Sequence, residues 1–251
     1  MESVLVSAYY TIPNKHPAGF YKDPICRFFN FFQSHAVVFF CSAADKEWID
    51  SLKLPTENVR FIILEFNDLP LLKVFPKHVW ETNIAYDPEK YHTPEAGIIW
   101  ASKKDLVRLA SKAVQSDWYI WIDAGCLRSD DWKIDCANFG RRTLALLRPG
   151  VYAQNLSPLP RREFFHFTGE RFISAAIILF HKDFIEEFIK SYNQMVAHYL
   201  ANNKSIISDQ YIMASMVCAA APGLQTINYY ELSEIQKLYC IDLWFFFLIW
   251  L

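Results

Sequence analysis

Asp117-Trp118-Tyr119-Ile120-Trp121-Ile122-Asp123-Ala124-Gly125-Cys126 is the stretch on which the reading of this chain turns. Its apolar run has strand length and stops abruptly at an acid and a glycine, as a buried strand does where it leaves a sheet. In an open α/β sheet ligands bind beyond the carboxyl ends of the strands, so Asp123 stands where chemistry is done.

Working outward, the flanking segments alternate in type. Residues 4–8 and 60–65 read as strands and 36–41 as a continuous buried strand, with an aromatic helix around Phe28, Phe29, Phe31 and Phe32 and a short helix over 45–52 capped by Asp45. Residues 67–94 are rich in Pro, His, Tyr and Asp without periodicity, and read as an irregular excursion bordering the substrate. Residues 96–115 carry apolar positions at helical spacing, with Lys103, Lys104, Arg108 and Lys112 on the polar face. Downstream, 144–147 and 171–180 read as strands, 182–199 as a helix, and Ser208 as the cap of a helix opening Asp209-Gln210. Such alternation predicts an α/β fold with a mostly parallel central sheet flanked by helices. With no repeat, linker or low-complexity tract, residues 1–251 read as a single domain.

Composition narrows the partners. Hydrophobic residues make up 53% and aromatics 17%, enough for a large core, and a formal net charge of −2 gives no positive field to gather nucleic acid. The six cysteines are scattered without metal-site spacing and read as reduced core residues, which points to the cytoplasm. The first residues lack the basic region of a signal peptide. The apolar tail 243–251 falls far short of the roughly 20 residues a membrane span requires. It reads as a segment docked on the domain, on a protein partner or on a membrane surface.

Several residues suit the handling of a diphosphate. A carboxylate at a strand end is an oxygen ligand for a hard cation, and Asp123 fits that use, its plainer alternative being a turn cap or an ion pair. Arg128 can neutralise phosphate or pair with Asp130 or Asp131 at the surface. Asp209 can contact a transferred sugar, deprotonate an acceptor hydroxyl, or simply occupy a helix N-terminus. Tyr9 and Tyr10 can stack on a base or pack as core. His166 and His181 read as ligands or packing residues. No HExxH, P-loop, GxGxxG or GxSxG pattern is present.

The run 121–125, the opening Ser7-Ala8-Tyr9-Tyr10, the lysine-bearing helix and Ser208-Asp209-Gln210 together resemble the HtrL/YibB family of glycosyltransferases, and more broadly the GT-A glycosyltransferases. The resemblance covers most of the chain. It implies a GT-A-like fold, a nucleotide-sugar donor, a glycan or glycoconjugate acceptor, and a divalent metal, Mn2+ or Mg2+, bound at an Asp-x-Asp motif. On that likeness Ala8, Tyr9 and Thr11 would hold base and ribose. Asp123, Ala124, Gly125 and Arg128 would hold the diphosphate, and one of Lys103 and Lys104 would reach the donor, since helical neighbours diverge by about 100°. Ser174, Ala175 and Ala176, in the small-residue stretch 168–176, would border the sugar with Asp209 and Gln210, unless they are a tightly packed strand. Gly125 departs from the motif by replacing its second acid. Asp130 or Asp131 is the candidate to supply that carboxylate, and the glycine suggests close approach to a ligand or a positive φ. A nucleotidyltransferase shares these features, but the loop 11–23 has only Gly19. A non-catalytic sugar-binding or assembly protein is the alternative of another class.

Overall fold

Seven strands form one sheet: β1 (Ser3–Tyr9), β2 (Val37–Cys41), β3 (Val59–Ile63), β4 (Trp118–Ile122), β5 (Val151–Asn155), β6 (Ile173–His181) and β7 (Leu224–Asn228), in the order β3-β2-β1-β4-β6-β5-β7. The first four neighbours are parallel, β6 runs against both β4 and β5, and β7 is parallel to β5. This computed structural model describes residues 3–13, 16, 19–132, 139–159, 167, 169 and 172–251. It is a mostly parallel α/β sheet flanked by helices.

Side chains of a strand alternate between faces, and β4 divides its residues accordingly. Tyr119 and Trp121 enter one hydrophobic core, and Trp118, Ile120 and Ile122 enter the other. The first core is covered by α3 (Pro94–Ala113), α4 (Ile185–Ala201) and α5 (Asp209–Cys218), the second by α1 (Lys22–Phe31) and the C-terminal segment, while α2 (Ala43–Ser51) lies between β2 and β3 in the chain. The start of α3 follows from sequence: Thr93 Oγ1 accepts from Ala96 N–H, and Pro94 sits where a missing N–H costs nothing. Gly97 lets α3 approach residue 207, since a Cβ there would lie 3.0 Å from the Ile207 carbonyl oxygen.

Three expectations change. Residues 144–147 are no strand: a helical turn occupies Arg141–Leu144, Leu146 is 85% exposed, and the fully buried run Val151–Asn155 takes the sheet position instead. The cap of α2 is Ser42, whose Oγ accepts from Asp45 N–H, whereas the Asp45 carboxylate is occupied by Thr11 and Ser42. Ser208 holds the cap position of α5 without making a side-chain cap bond. Of the placements expected for the apolar tail, docking on the domain is the one observed: Phe245, Phe246, Phe247 and Leu248 are buried in the second core.

That packing is directed by polar contacts. The register of β5 on β6 shifts between Ala153 and Gln154. Such an irregularity re-aims a side chain. Gln154 Nε2 donates to the Trp244 carbonyl at 3.3 Å, its Oε1 accepts from Phe247 N–H at 2.8 Å, and Ser174 Oγ donates to the same Trp244 carbonyl at 2.7 Å. Cys41 and Cys126 are buried free thiols and Cys26, Cys218 and Cys240 are partly exposed ones, while Cys136 lies outside the described residues, as do His166, Thr168, Glu170 and Arg171. Among the described residues no helix is long and apolar enough to cross a membrane.

Candidate functional site

The parallel strands β1 and β4 are cross-tied where they end. Ser7 Oγ donates to the Ile122 carbonyl at 2.6 Å, and Asp123 N–H donates to the Ala176 carbonyl of β6 at 2.8 Å. The backbone of Asp123 is thereby fixed, and its side chain emerges on the face of Trp121, whose Nε1 donates to Asp123 Oδ1 at 2.7 Å. A rigid element thus presents a carboxylate whose side chain is 32% exposed.

Lys103 of α3 completes this centre. Its Nζ lies 3.1 Å from Asp123 Oδ1 and 2.9 Å from Asp209 Oδ2, and donates to the Ala175 carbonyl at 2.8 Å. The lysine side chain is 5% exposed and that of Asp209 4%, so this ammonium joins two carboxylates almost out of water. Burial works against its charge, but Asp123 and Asp209 together outweigh it and hold Lys103 above the ordinary lysine value. Burial pushes Asp123 above the ordinary aspartate value, more than Lys103 and Trp121 draw it down, and Asp209 adds to the rise.

Lys104 takes no part. Its Nζ donates to the Ala101 carbonyl at 2.9 Å and to Asp105 Oδ2 at 2.8 Å, and lies 4.8 Å from the centre of the Tyr192 ring. Lys103 alone of the two reaches the cleft, yet α3 is buried on more than one side. Both lysines are enclosed, about 100° apart, and each has found its own acid.

Above the centre lies a cleft of about 430 Å³. That is within the range of small-molecule sites. Of the expected residues, Ala8, Tyr9, Ala124, Gly125 and Arg128 line it from the β1 and β4 ends, and Ala176, Asp209 and Gln210 from the sugar side. Three others do not line it. Thr11 is turned to Asp45, its Oγ1 donating at 2.6 Å. Ser174 is fully buried and engaged with the C-terminal segment, and Ala175 contributes its carbonyl to Lys103 from within the sheet. Arg128 is exposed with its guanidinium 5.2 Å from the Phe245 ring, and not paired to Asp130, which binds Arg27 at 2.6 Å. His181 packs edge-on against Trp118.

Gly125 avoids the left-handed region; its role is close approach. A Cβ there would lie 3.0 Å from the ring of Tyr21, so that ring stands where a second motif side chain would begin. Asp130 and Asp131 do not supply the missing carboxylate, being tied to Arg27 and Ser129. Among the described residues no three His, Cys, Asp or Glu side chains converge as a metal cage. The donor set nevertheless suits a hard cation brought with a diphosphate. Asp123 and Asp242 both line the cleft, and among the described residues Lys103 and Arg128 stand there with the carboxylates of Asp123, Asp209, Glu89 and Asp242.

Some lining residues escaped the sequence reading. Tyr21, Trp100, Asp242, Trp244 and Phe245 carry no motif signal. Glu89, Tyr91 and His92 come from the irregular excursion, whose lack of periodicity was the cue.

The chain is similar in fold to mouse xyloside xylosyltransferase 1 in its apo form, with a TM-score of 0.55 and 12% identity over 90% of this chain and 85% of that one. It also aligns with CMP:2-keto-3-deoxy-manno-octonic acid synthetase complexed with CTP, at a TM-score of 0.46 and 9% identity over 91% of this chain and 90% of that one. No protein-family model and no curated protein sequence matches it. At such identities the xylosyltransferase likeness shows a shared GT-A-like fold.

Proposed function

We propose that the chain is a glycosyltransferase that moves a sugar from a nucleoside-diphosphate donor to a hydroxyl acceptor. The observation that carries this reading is the Lys103 ammonium bridging Asp123 and Asp209 at the floor of the cleft. The shared fold with a xylosyltransferase and the likeness of residues 121–125 to the HtrL/YibB family support it.

In this reading the roles follow from position. Asp123, at the end of β4, takes the ribose and the diphosphate side, while Asp209 faces the transferred sugar. Lys103 binds both carboxylates and aligns them, so their orientation is set before substrate arrives. Arg128, at the rim, neutralises charge that develops on the leaving diphosphate. Tyr9 and Tyr21, with ring centroids 6.1 Å apart, supply aromatic surface for a base. Asp123 and Asp242 would hold Mn2+ or Mg2+. When bound, such an ion supplies Lewis-acid neutralisation of the diphosphate.

The test is calorimetry and turnover with UDP, GDP and CDP and their sugars, with manganese or with a chelator. The expected result is nucleotide binding and slow donor hydrolysis, both lost in Asp123→Ala. Tight sugar-nucleotide binding without turnover would mean a binding protein, and absence of nucleotide binding under every condition would overturn the reading.

A further inference from the structure

A second, much smaller cavity of about 10 Å³ shares the Lys103–Asp209 pair with the cleft. Its other walls include Lys104 and Met213, together with Phe188 and Tyr192 of α4, and Tyr192 lines this space without lining the cleft. Two oxygens of these walls are buried without a hydrogen bond, the Tyr192 hydroxyl and Asp209 Oδ2. The contact of Asp209 Oδ2 with Lys103 Nζ, at 2.9 Å, is therefore an ion pair whose angles fall short of a hydrogen bond. The Tyr192 ring is fixed within the first core, with Lys104 Nζ 4.8 Å from its centre. Burial, reinforced by the Asp209 charge, holds the Tyr192 hydroxyl well above the ordinary tyrosine value, so it keeps its proton and stays a donor.

From this convergence we infer that the small cavity is the site of one bound water, which accepts from the Tyr192 hydroxyl and donates to Asp209 Oδ2, and that Tyr192 thereby positions Asp209. A buried water needs about 10–15 Å³ of room and at least two polar partners. The cavity meets both conditions, whereas a void of this size walled by apolar groups alone stays dry. Left unpaired, each of the two oxygens bears its full cost of leaving water, and one shared water relieves both. Asp209 is then held by two groups, Lys103 at the floor of the cleft and Tyr192 from a space outside it. Tyr192 does not line the cleft, so it acts through Asp209 and is a positioning residue. The water site stands without the transferase reading; the effect of Tyr192 on turnover rests on that reading.

The test is a crystal structure of the full chain and of Tyr192→Phe, each at a resolution that shows ordered water, with urea unfolding, UDP calorimetry and donor hydrolysis of both. One ordered water is expected within hydrogen-bond distance of the Tyr192 hydroxyl and Asp209 Oδ2. In Tyr192→Phe, which keeps the ring, the water should be lost and the Asp209 carboxylate should turn or spread over two positions. The urea midpoint should shift downward, and turnover should fall by about tenfold or more with UDP affinity unchanged. The sign of the midpoint shift is decisive, because deleting a hydroxyl that has no partner in a dry cavity stabilises the fold. A dry cavity in the wild-type crystal, or an upward shift, overturns the site, and the wild-type crystal decides even where the variant does not fold. An Asp209 carboxylate unmoved in the variant, or unchanged turnover, overturns the positioning role. A bridging water in protein that hydrolyses no donor keeps the site and removes the transferase reading.

Discussion

The two parts of the sheet are built by different rules. From β1 to β4 the chain repeats strand and helix, every pairing is parallel, and Asp123 sits at the end of a strand buried at every residue. From β5 onward the direction reverses at β6, the register slips at Gln154, and the chain folds back so that Trp244 and Phe245 reach the cleft. The first part supplies Asp123 and Lys103; the second supplies Asp209 and the Ala175 carbonyl. A regular scaffold thus fixes one carboxylate, and an irregular one brings the partner that makes it a site.

The junction between the parts is where the largest effect is expected. Lys103→Met leaves two carboxylates facing each other with no cation between them, and should lower unfolding free energy by about 3–5 kcal/mol in a denaturant titration. A loss under about 1 kcal/mol would mean the two parts do not depend on this ion pair. Asp123→Asn should act on function instead, reducing turnover by about 100-fold.

Its effect on stability has a definite sign. A carboxyl whose folded value is raised stabilises in acid, and that contribution is lost as pH rises through the raised value. Asp123→Asn should therefore cost little stability at neutral pH. Nucleotide binding with manganese should weaken as pH falls through the Asp123 value, above the range of an ordinary aspartate, and the variant should flatten that limb. Calorimetry across the acid range checks both statements.

The second part can be loosened alone. Gln154→Leu leaves the Phe247 N–H buried without its acceptor and should cost about 1–3 kcal/mol, with faster proteolysis of the C-terminal segment than of α1. Smallest of all is Lys104→Met. Asp105 keeps Arg108 at 3.0 Å after the lysine is gone, and burial already disfavours the Lys104 charge, so a change within about 1 kcal/mol is expected by thermal melting. The contrast between adjacent lysines is the sharpest measure of which one serves the site.

The same division governs what could be read from sequence. Strands β1 to β4 and helix α3 were legible because alternation and apolar runs are local signals, and so was Asp123 at its strand end. Asp209 was legible as a candidate, but its meeting with Lys103 joins positions over a hundred residues apart. The misreading of 144–147 has a local cause: Leu144, Leu146 and Leu147 are as apolar as a strand, but only Leu144 is fully buried. Nothing in the pattern at Lys103 and Lys104 shows that α3 is enclosed on both of their sides. The edge strand β7 was missed, and its half-exposed residues explain why.

The clasp of Gln154 and Ser174 on the Trp244 carbonyl has a consequence for how the molecule comes into being. Lining groups run from Ala8 to Phe245, so nearly the whole polypeptide must be in place before the binding surface closes. Competence to bind therefore depends on the docking of residues 242–245.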